Sequence, residues 1–114
     1  MKGIPYINRG DCGILLLSEI YYIDCTYRTA DIHTESGVKR MYISPGNLGK
    51  YLDERFNISL NTLIINFDKV RSMTAGHLTF ENGEVMDLSR NCYFKVRRDF
   101  VDYLKNIQKT LANS

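Results

Sequence analysis

Arg90, Lys95, Arg97 and Arg98 fall between Ser89 and Arg98, a stretch that holds no acidic residue. Cations gathered in this way suit phosphate, and arginine also presents a fork that matches guanine O6 and N7. The other reactive side chains are scattered. His33 and His77 have no second histidine or cysteine at metal-ligand spacing. His33 follows Ile32 in a strand-like run and reads as a sheet-face residue. No Gly-x-Ser-x-Gly elbow is present, and Pro45-Gly46-Asn47-Leu48-Gly49 lacks the Walker lysine pattern. Cys12, Cys25 and Cys92 are odd in number, widely spaced and without a Cys-x-x-Cys pair, which suits free thiols in a reducing compartment. Cys92 reads as a small residue at a helix start rather than a reactive thiol. An enzyme is the weakest functional class, and no metal or cofactor is implied.

The elements that must position these residues belong to a chain of 114 residues, 44% hydrophobic and 25% charged, the balance of a water-soluble globular domain. No apolar run approaches the ~18 residues of a membrane span. The N-terminus lacks the pattern of a secretory signal, so the expected location is cytoplasmic. The net charge of +2 is a weak signal for nucleic acid, because such proteins often carry a large basic excess.

Tyr, Ile, Val, Thr and Phe cluster in short runs over the first two-thirds of the chain, as strands prefer. Strands are expected at Ile4–Asn8, Ile14–Ser18, Ile20–Asp24, Thr29–Thr34 and Val38–Ile43, the last two joined through Glu35-Ser36-Gly37. Ser44 is a good N-cap with Pro45 at the first helical position, and Leu48, Leu52 and Phe56 recur at spacing four. A short helix is expected near 45–54, weakened by Gly46 and Gly49. Leu63–Ile65, Val70–Thr74, His77–Phe80 and Glu84–Leu88 are further strands, and Asn82-Gly83 predicts a two-residue type I′ turn with φ > 0 at both positions. Tyr93, Val96, Phe100, Leu104, Ile107 and Leu111 mark one face of a C-terminal amphipathic helix, with Ser89 or Asn91 placed to cap it and Ala112–Ser114 expected to fray. These patterns imply a mostly-β or α+β architecture.

Three ordered segments resemble the LytTR family of bacterial response-regulator DNA-binding domains. Leu17-Ser18-Glu19-Ile20-Tyr21-Tyr22-Ile23-Asp24, followed by Asp31-Ile32-His33-Thr34, is similar to the family's "DI-x-YIEA … IHT" opening. Phe56 to Asn66 is similar to its "F-x-R-x-H-[RN]-S-[YF]-x-VN" stretch, with Val70 at the following aliphatic position. Asn82-Gly83 and then Leu88-Ser89-Arg90 match the "nG … vSR" ending before the last helix. The match runs from about Ile4 to Leu104, so the expectation is a single domain over 1–114 with its core at about 4–108.

The resemblance implies an elongated stack of small antiparallel β-sheets with one short helix and a C-terminal helix. It implies promoter double-stranded DNA as partner, bound on direct repeats by a monomer or a homodimer, with loops entering successive major grooves. Asn61 and Arg90 match base-contacting positions, where Asn pairs with adenine and Arg with guanine. Read alone, Asn61 is rather a turn or strand-end asparagine bonded to backbone, and Arg90 has the alternative of an ordinary exposed or salt-bridged arginine. Thr62 stands where the family has Ser, and Asn91, Lys95 and Arg97 lie in the first turns of the last helix; these suit the phosphate backbone. Tyr27, Arg28 and Thr29 occupy the place of a further DNA-contacting loop, or form a plain hairpin loop. Because the match begins near Met1, the chain reads as an excised effector domain or a stand-alone regulator. A receiver domain or sensor kinase is the partner if it belongs to a longer two-component protein.

The departures are specific. Ile58 and Leu60 replace the family's frequent Arg and His, and the link from the short helix to Phe56 is shorter than usual. Together with the low net charge, they motivate the rival reading: a protein-interaction module on the same fold that has lost specific DNA binding.

Overall fold

The structure, a computed structural model, describes residues 2–112. They form two compact units that divide after Asp68.

In the first unit, β1 (Gly3–Ile7) and β2 (Cys12–Leu16) make an antiparallel ribbon. A single 3₁₀ turn, Leu17–Glu19, carries the chain into β3 (Ile20–Cys25). β4 (Thr29–Thr34), β5 (Gly37–Tyr42), β6 (Phe56–Asn57) and β7 (Leu63–Asn66) complete a five-stranded antiparallel sheet in the order β5-β4-β3-β7-β6. β3 lies at its centre, and Tyr21, Tyr22 and Ile23 are buried in succession, as a strand covered on both faces requires. β4 alternates, burying Ala30 and Ile32 and leaving Asp31 and His33 partly exposed. The core gathers Ile4, Leu15, Ile20, Ile23, Ile32 and Ile64 among others, so ribbon and sheet share one apolar interior.

The short helix is α1 (Pro45–Leu48), capped by the Ser44 hydroxyl, which accepts from the Asn47 N–H. It tightens into a 3₁₀ turn at Gly49–Tyr51 and ends, because Leu52 is already extended. The expected reach to 54 is therefore too long, and Leu48, Leu52 and Phe56 are not one helical face. Leu48 lies in α1 and Phe56 in β6, and all three pack into the same core.

Asn66 is fully buried. Its side-chain amide donates to the Ile20 carbonyl at 2.7 Å and the Leu17 carbonyl at 3.4 Å, while its oxygen accepts from the Asp68 N–H at 3.0 Å. It thus satisfies backbone at the Leu17–Glu19 corner and at the start of a third 3₁₀ turn, Phe67–Lys69.

In the second unit, β8 (Val70–Thr74), β9 (His77–Phe80) and β10 (Val85–Asp87) form an antiparallel sheet in the order β10-β9-β8, followed by α2 (Arg90–Ala112). Leu78, Phe80, Tyr93, Val96 and Phe100 are buried. Asn113 and Ser114, part of the expected frayed tail, lie outside the described residues.

The hairpin turns correct the sequence reading. Asn82 keeps a negative φ, and only Gly83 is left-handed, at φ +91°. Gly83 donates to the Phe80 carbonyl and Phe80 to the Glu84 carbonyl, both at 2.9 Å, which closes a three-residue loop rather than a two-residue one. The Asn82 side chain accepts from the Glu84 N–H at 2.9 Å, a local bond that competes with the type I′ geometry. The two-residue turn with positive φ at both positions is Ala75 (+50°) and Gly76 (+85°), between the paired residues Thr74 and His77.

Candidate nucleic-acid interface

One cluster of expected contact residues sits at an end of the five-stranded sheet. The loop between β3 and β4 is a tight turn: the Thr26 N–H donates to the Thr29 carbonyl at 2.8 Å, and the Thr29 N–H donates to the Thr26 hydroxyl at 3.1 Å. The two hydroxyls also pair at 2.6 Å. Thr29 is thus occupied in shaping the turn, while Tyr27 is 83% exposed and the Arg28 guanidinium lies 5.5 Å from its ring centre. The Cys25 N–H donates to the Thr62 carbonyl at 2.8 Å, which fixes exposed Asn61 and Thr62 at the same end of the sheet as this turn. The fold therefore unites Tyr27, Arg28 and Thr29 with Asn61 and Thr62, separated by more than thirty residues in sequence.

Three residues that sequence reasoning missed adjoin this cluster. Tyr42 pairs with Thr29 across β4 and β5 and is 85% exposed. Tyr42, Lys50 and Tyr51 line an open concavity of about 700 Å³ with Tyr27, Arg28, Ser44 and Asn47. Nothing in the linear sequence marks them, because strand pairing and the early end of α1 bring them beside the turn.

The second cluster is the start of α2. Ser89 is its cap: its hydroxyl accepts from the Cys92 N–H at 3.4 Å and its carbonyl from the Tyr93 N–H at 2.8 Å. Arg90 is then the first helical residue, and no acidic residue stands in the first turn. A cation there opposes the helix dipole by about 0.3–1 kcal/mol, a sign that a bound phosphate reverses. Arg90 and Arg97 line a concavity with Phe94, Tyr93, Leu88 and the Ala75-Gly76 turn, and the Arg90 guanidinium lies 5.9 Å from the Phe94 ring centre. Asn91 and Lys95, both exposed, occupy the adjacent helical face at spacing four. The helical candidates thus divide into two faces.

Six cations outside these two sets of residues are held in ion pairs. Lys2 and Arg55 bond Asp53, Lys39 bonds Asp11, Arg40 bonds Asp31, Lys69 bonds Glu81 and Arg98 bonds Asp99. The hydrogen bond from Arg40 holds Asp31 below the usual carboxylate range. Arg28, Lys50, Arg90, Lys95 and Arg97 have no carboxylate partner among the described residues. A net charge of +2 conceals this, since paired cations cancel; Arg9, Arg71, Lys105 and Lys109 also lack a carboxylate partner among the described residues, but lie outside the two clusters.

Both histidines are in structural pairs. His33 stacks on Tyr22 with ring centres 4.0 Å apart and bonds Asp24 at 3.1 Å, on the sheet face where its alternation placed it. His77 bonds Asp87. Burial, reinforced by the charge of Asp24, pushes the Cys25 thiol up. Ile58, where the resemblance expects arginine, is 66% exposed.

No protein-family model matches the chain, and no curated protein sequence matches it. Among solved structures, it is similar to the LytTr DNA-binding domain of a Bacillus cereus protein described as a methyl-accepting/DNA response regulator. The TM-score is 0.68 at 15% identity, over 89% of this chain and 97% of that one. The chain has a LytTR-like fold: mostly β, with three small antiparallel sheets and two α-helices, one of them C-terminal. No helix among the described residues is long and apolar enough to cross a membrane.

Proposed function

We propose that this chain binds double-stranded DNA with sequence specificity, as the effector domain of a bacterial transcription regulator acting in the cytoplasm. The observation that carries the reading is that Arg28, Lys50, Arg90, Lys95 and Arg97, none with a carboxylate partner among the described residues, gather at two clusters on a LytTR-like fold. Arg90 reads a guanine edge and Asn61 an adenine edge in major grooves. Arg28, Lys95 and Arg97 neutralise phosphates, while Tyr27, Thr62 and Asn91 donate hydrogen bonds to phosphate oxygens. Thr29 acts through the shape of its turn, since its hydroxyl is already paired with Thr26. Direct repeats as the target, with a homodimer on DNA, belong to the same reading.

Selection from random duplexes, followed by titration of the selected duplex and a scramble at physiological salt, tests it. A preference of ~10³-fold or more, with two short motifs about a helical turn apart, is the expected result. Equal, weak and salt-sensitive binding to both duplexes refutes specific readout and favours the protein-interaction module.

A further inference from the structure

The concavity beside the Thr26–Thr29 turn has a composition that the roles above leave unused. Tyr27 and Tyr42 are almost fully exposed, and Tyr51 adds a third ring. Tyrosines in such numbers on a surface carry an unfavourable apolar area unless something covers them. The same wall holds two cations, Arg28 and Lys50, and no carboxylate. Neither cation has an ion-pair partner among the described residues; of the other cations of this unit Lys2, Lys39, Arg40 and Arg55 are paired and Arg9 is not. Ser44 accepts from Asn47 through its oxygen and keeps its O–H free to donate. The surface therefore offers donors and positive charge, with aromatic faces between them, and nothing that repels an anion.

We infer that this groove grips the phosphodiester backbone of duplex DNA, with Lys50 as a further phosphate-neutralising residue and Tyr42 and Tyr51 as hydroxyl donors beside it. The inference rests on the duplex-binding reading and adds to it a backbone contact supplied by the 3₁₀ turn after α1 and the end of β5. The occupant follows from charge complementarity: an extended polyanion satisfies two separated cations and intervening hydroxyls together. The contact is independent of base sequence, because it reaches no base edge.

Fluorescence anisotropy with a labelled mixed-sequence duplex and with the selected duplex tests this over a series of salt concentrations. Lys50→Ala is expected to weaken both duplexes equally, by roughly 5-fold, and to lower the salt slope by about 0.9, one phosphate contact. Lys50→Arg restores both. Joint replacement of Tyr42 and Tyr51 by Phe weakens both duplexes with little change in slope, because it removes donors and no charge. If Lys50→Glu changes neither affinity nor slope while Arg90→Ala lowers the preference for the selected duplex, the groove assignment falls and the duplex reading stands. If the unaltered chain binds neither duplex at low salt, both fall.

Discussion

The two clusters differ in what fixes them. At the end of the five-stranded sheet, backbone and hydroxyl bonds lock the Thr26–Thr29 turn, and a bond from Cys25 holds Asn61 and Thr62 beside it. Charge is sparse there, with Arg28 and Lys50 the unpaired cations of the groove. At the start of α2 the reverse holds: three unpaired cations stand on the first two turns of one helix, held by a single serine cap. A rigid, charge-poor loop cluster suits geometric readout, whereas a cation-rich helix start suits strong and salt-sensitive attraction. On the proposed duplex-binding reading, each unit supplies one of these properties.

The largest expected effect on stability lies at the opposite end of the same sheet, where Asn66 closes β7 against the start of β3. Asn66→Ala leaves the Ile20 and Leu17 carbonyls and the Asp68 N–H without their buried partner. A loss of about 2–4 kcal/mol in urea-unfolding free energy is expected. A loss below half a kcal/mol would show that the corner does not depend on this side chain.

Next in size is the division of labour at α2. Arg90→Ala should cost about 1–3 kcal/mol on the selected duplex and relax a single base position. Lys95→Ala, one helical face away, should weaken selected and scrambled duplexes alike and reduce the salt slope by about 0.9. If both substitutions alter only the slope, the α2 cluster supplies charge alone and base reading rests with the sheet end.

The carboxylates sharpen the contrast from the side of the paired cations. Burial pushes the Asp53 carboxyl up, but hydrogen bonds from Arg55 and Lys2 outweigh this and hold it below the usual carboxylate range. A depressed folded-state pKa contributes stability that is fully present above the unfolded value of about 3.9 and is lost as pH falls through the folded value. Asp53→Asn should therefore cost about 1 kcal/mol at pH 7, and the gap from the parent should close in acid, at and below the folded-state value. Urea titrations at neutral and acid pH measure both. A gap that persists in full in strong acid would assign the loss to packing rather than charge.

Much of this arrangement was legible in the sequence, for a physical reason in each case. The alternation of Ala30 and Ile32 with exposed partners, and the spacing of Tyr93, Val96 and Phe100, record burial directly. Ser44-Pro45 marked the start of α1 because capping is local. The end of α1 was not legible, since Leu52 and Phe56 reach the core in extended backbone that satisfies the same apolar spacing. Lys50 and Tyr42 escaped notice as site residues because only the pairing of Tyr42 with Thr29 and the turn after Leu48 bring them to the groove. The sequence also misdirected the type I′ turn toward Asn82-Gly83, where an asparagine side chain satisfied itself locally instead.

That displaced turn supports the smallest prediction. Ala75 holds φ at +50°, a left-handed conformation that costs an L-residue with a Cβ roughly 1–2 kcal/mol. Glycine removes that cost but loses more chain entropy on folding, roughly 0.5–1 kcal/mol, so Ala75→Gly should stabilise the unit by about 0.5 kcal/mol. The turn borders the concavity lined by Arg90 and Arg97, so a looser backbone there acts on the mouth of the charged cluster. Thermal unfolding and duplex titration of Ala75→Gly separate the two consequences. Higher stability with unchanged specific affinity means that the alanine is incidental to the α2 cluster. Higher stability with a loss confined to the selected duplex means that a stiff turn positions Arg90. The geometric constraint evident at the sheet end would then operate at the helix start as well.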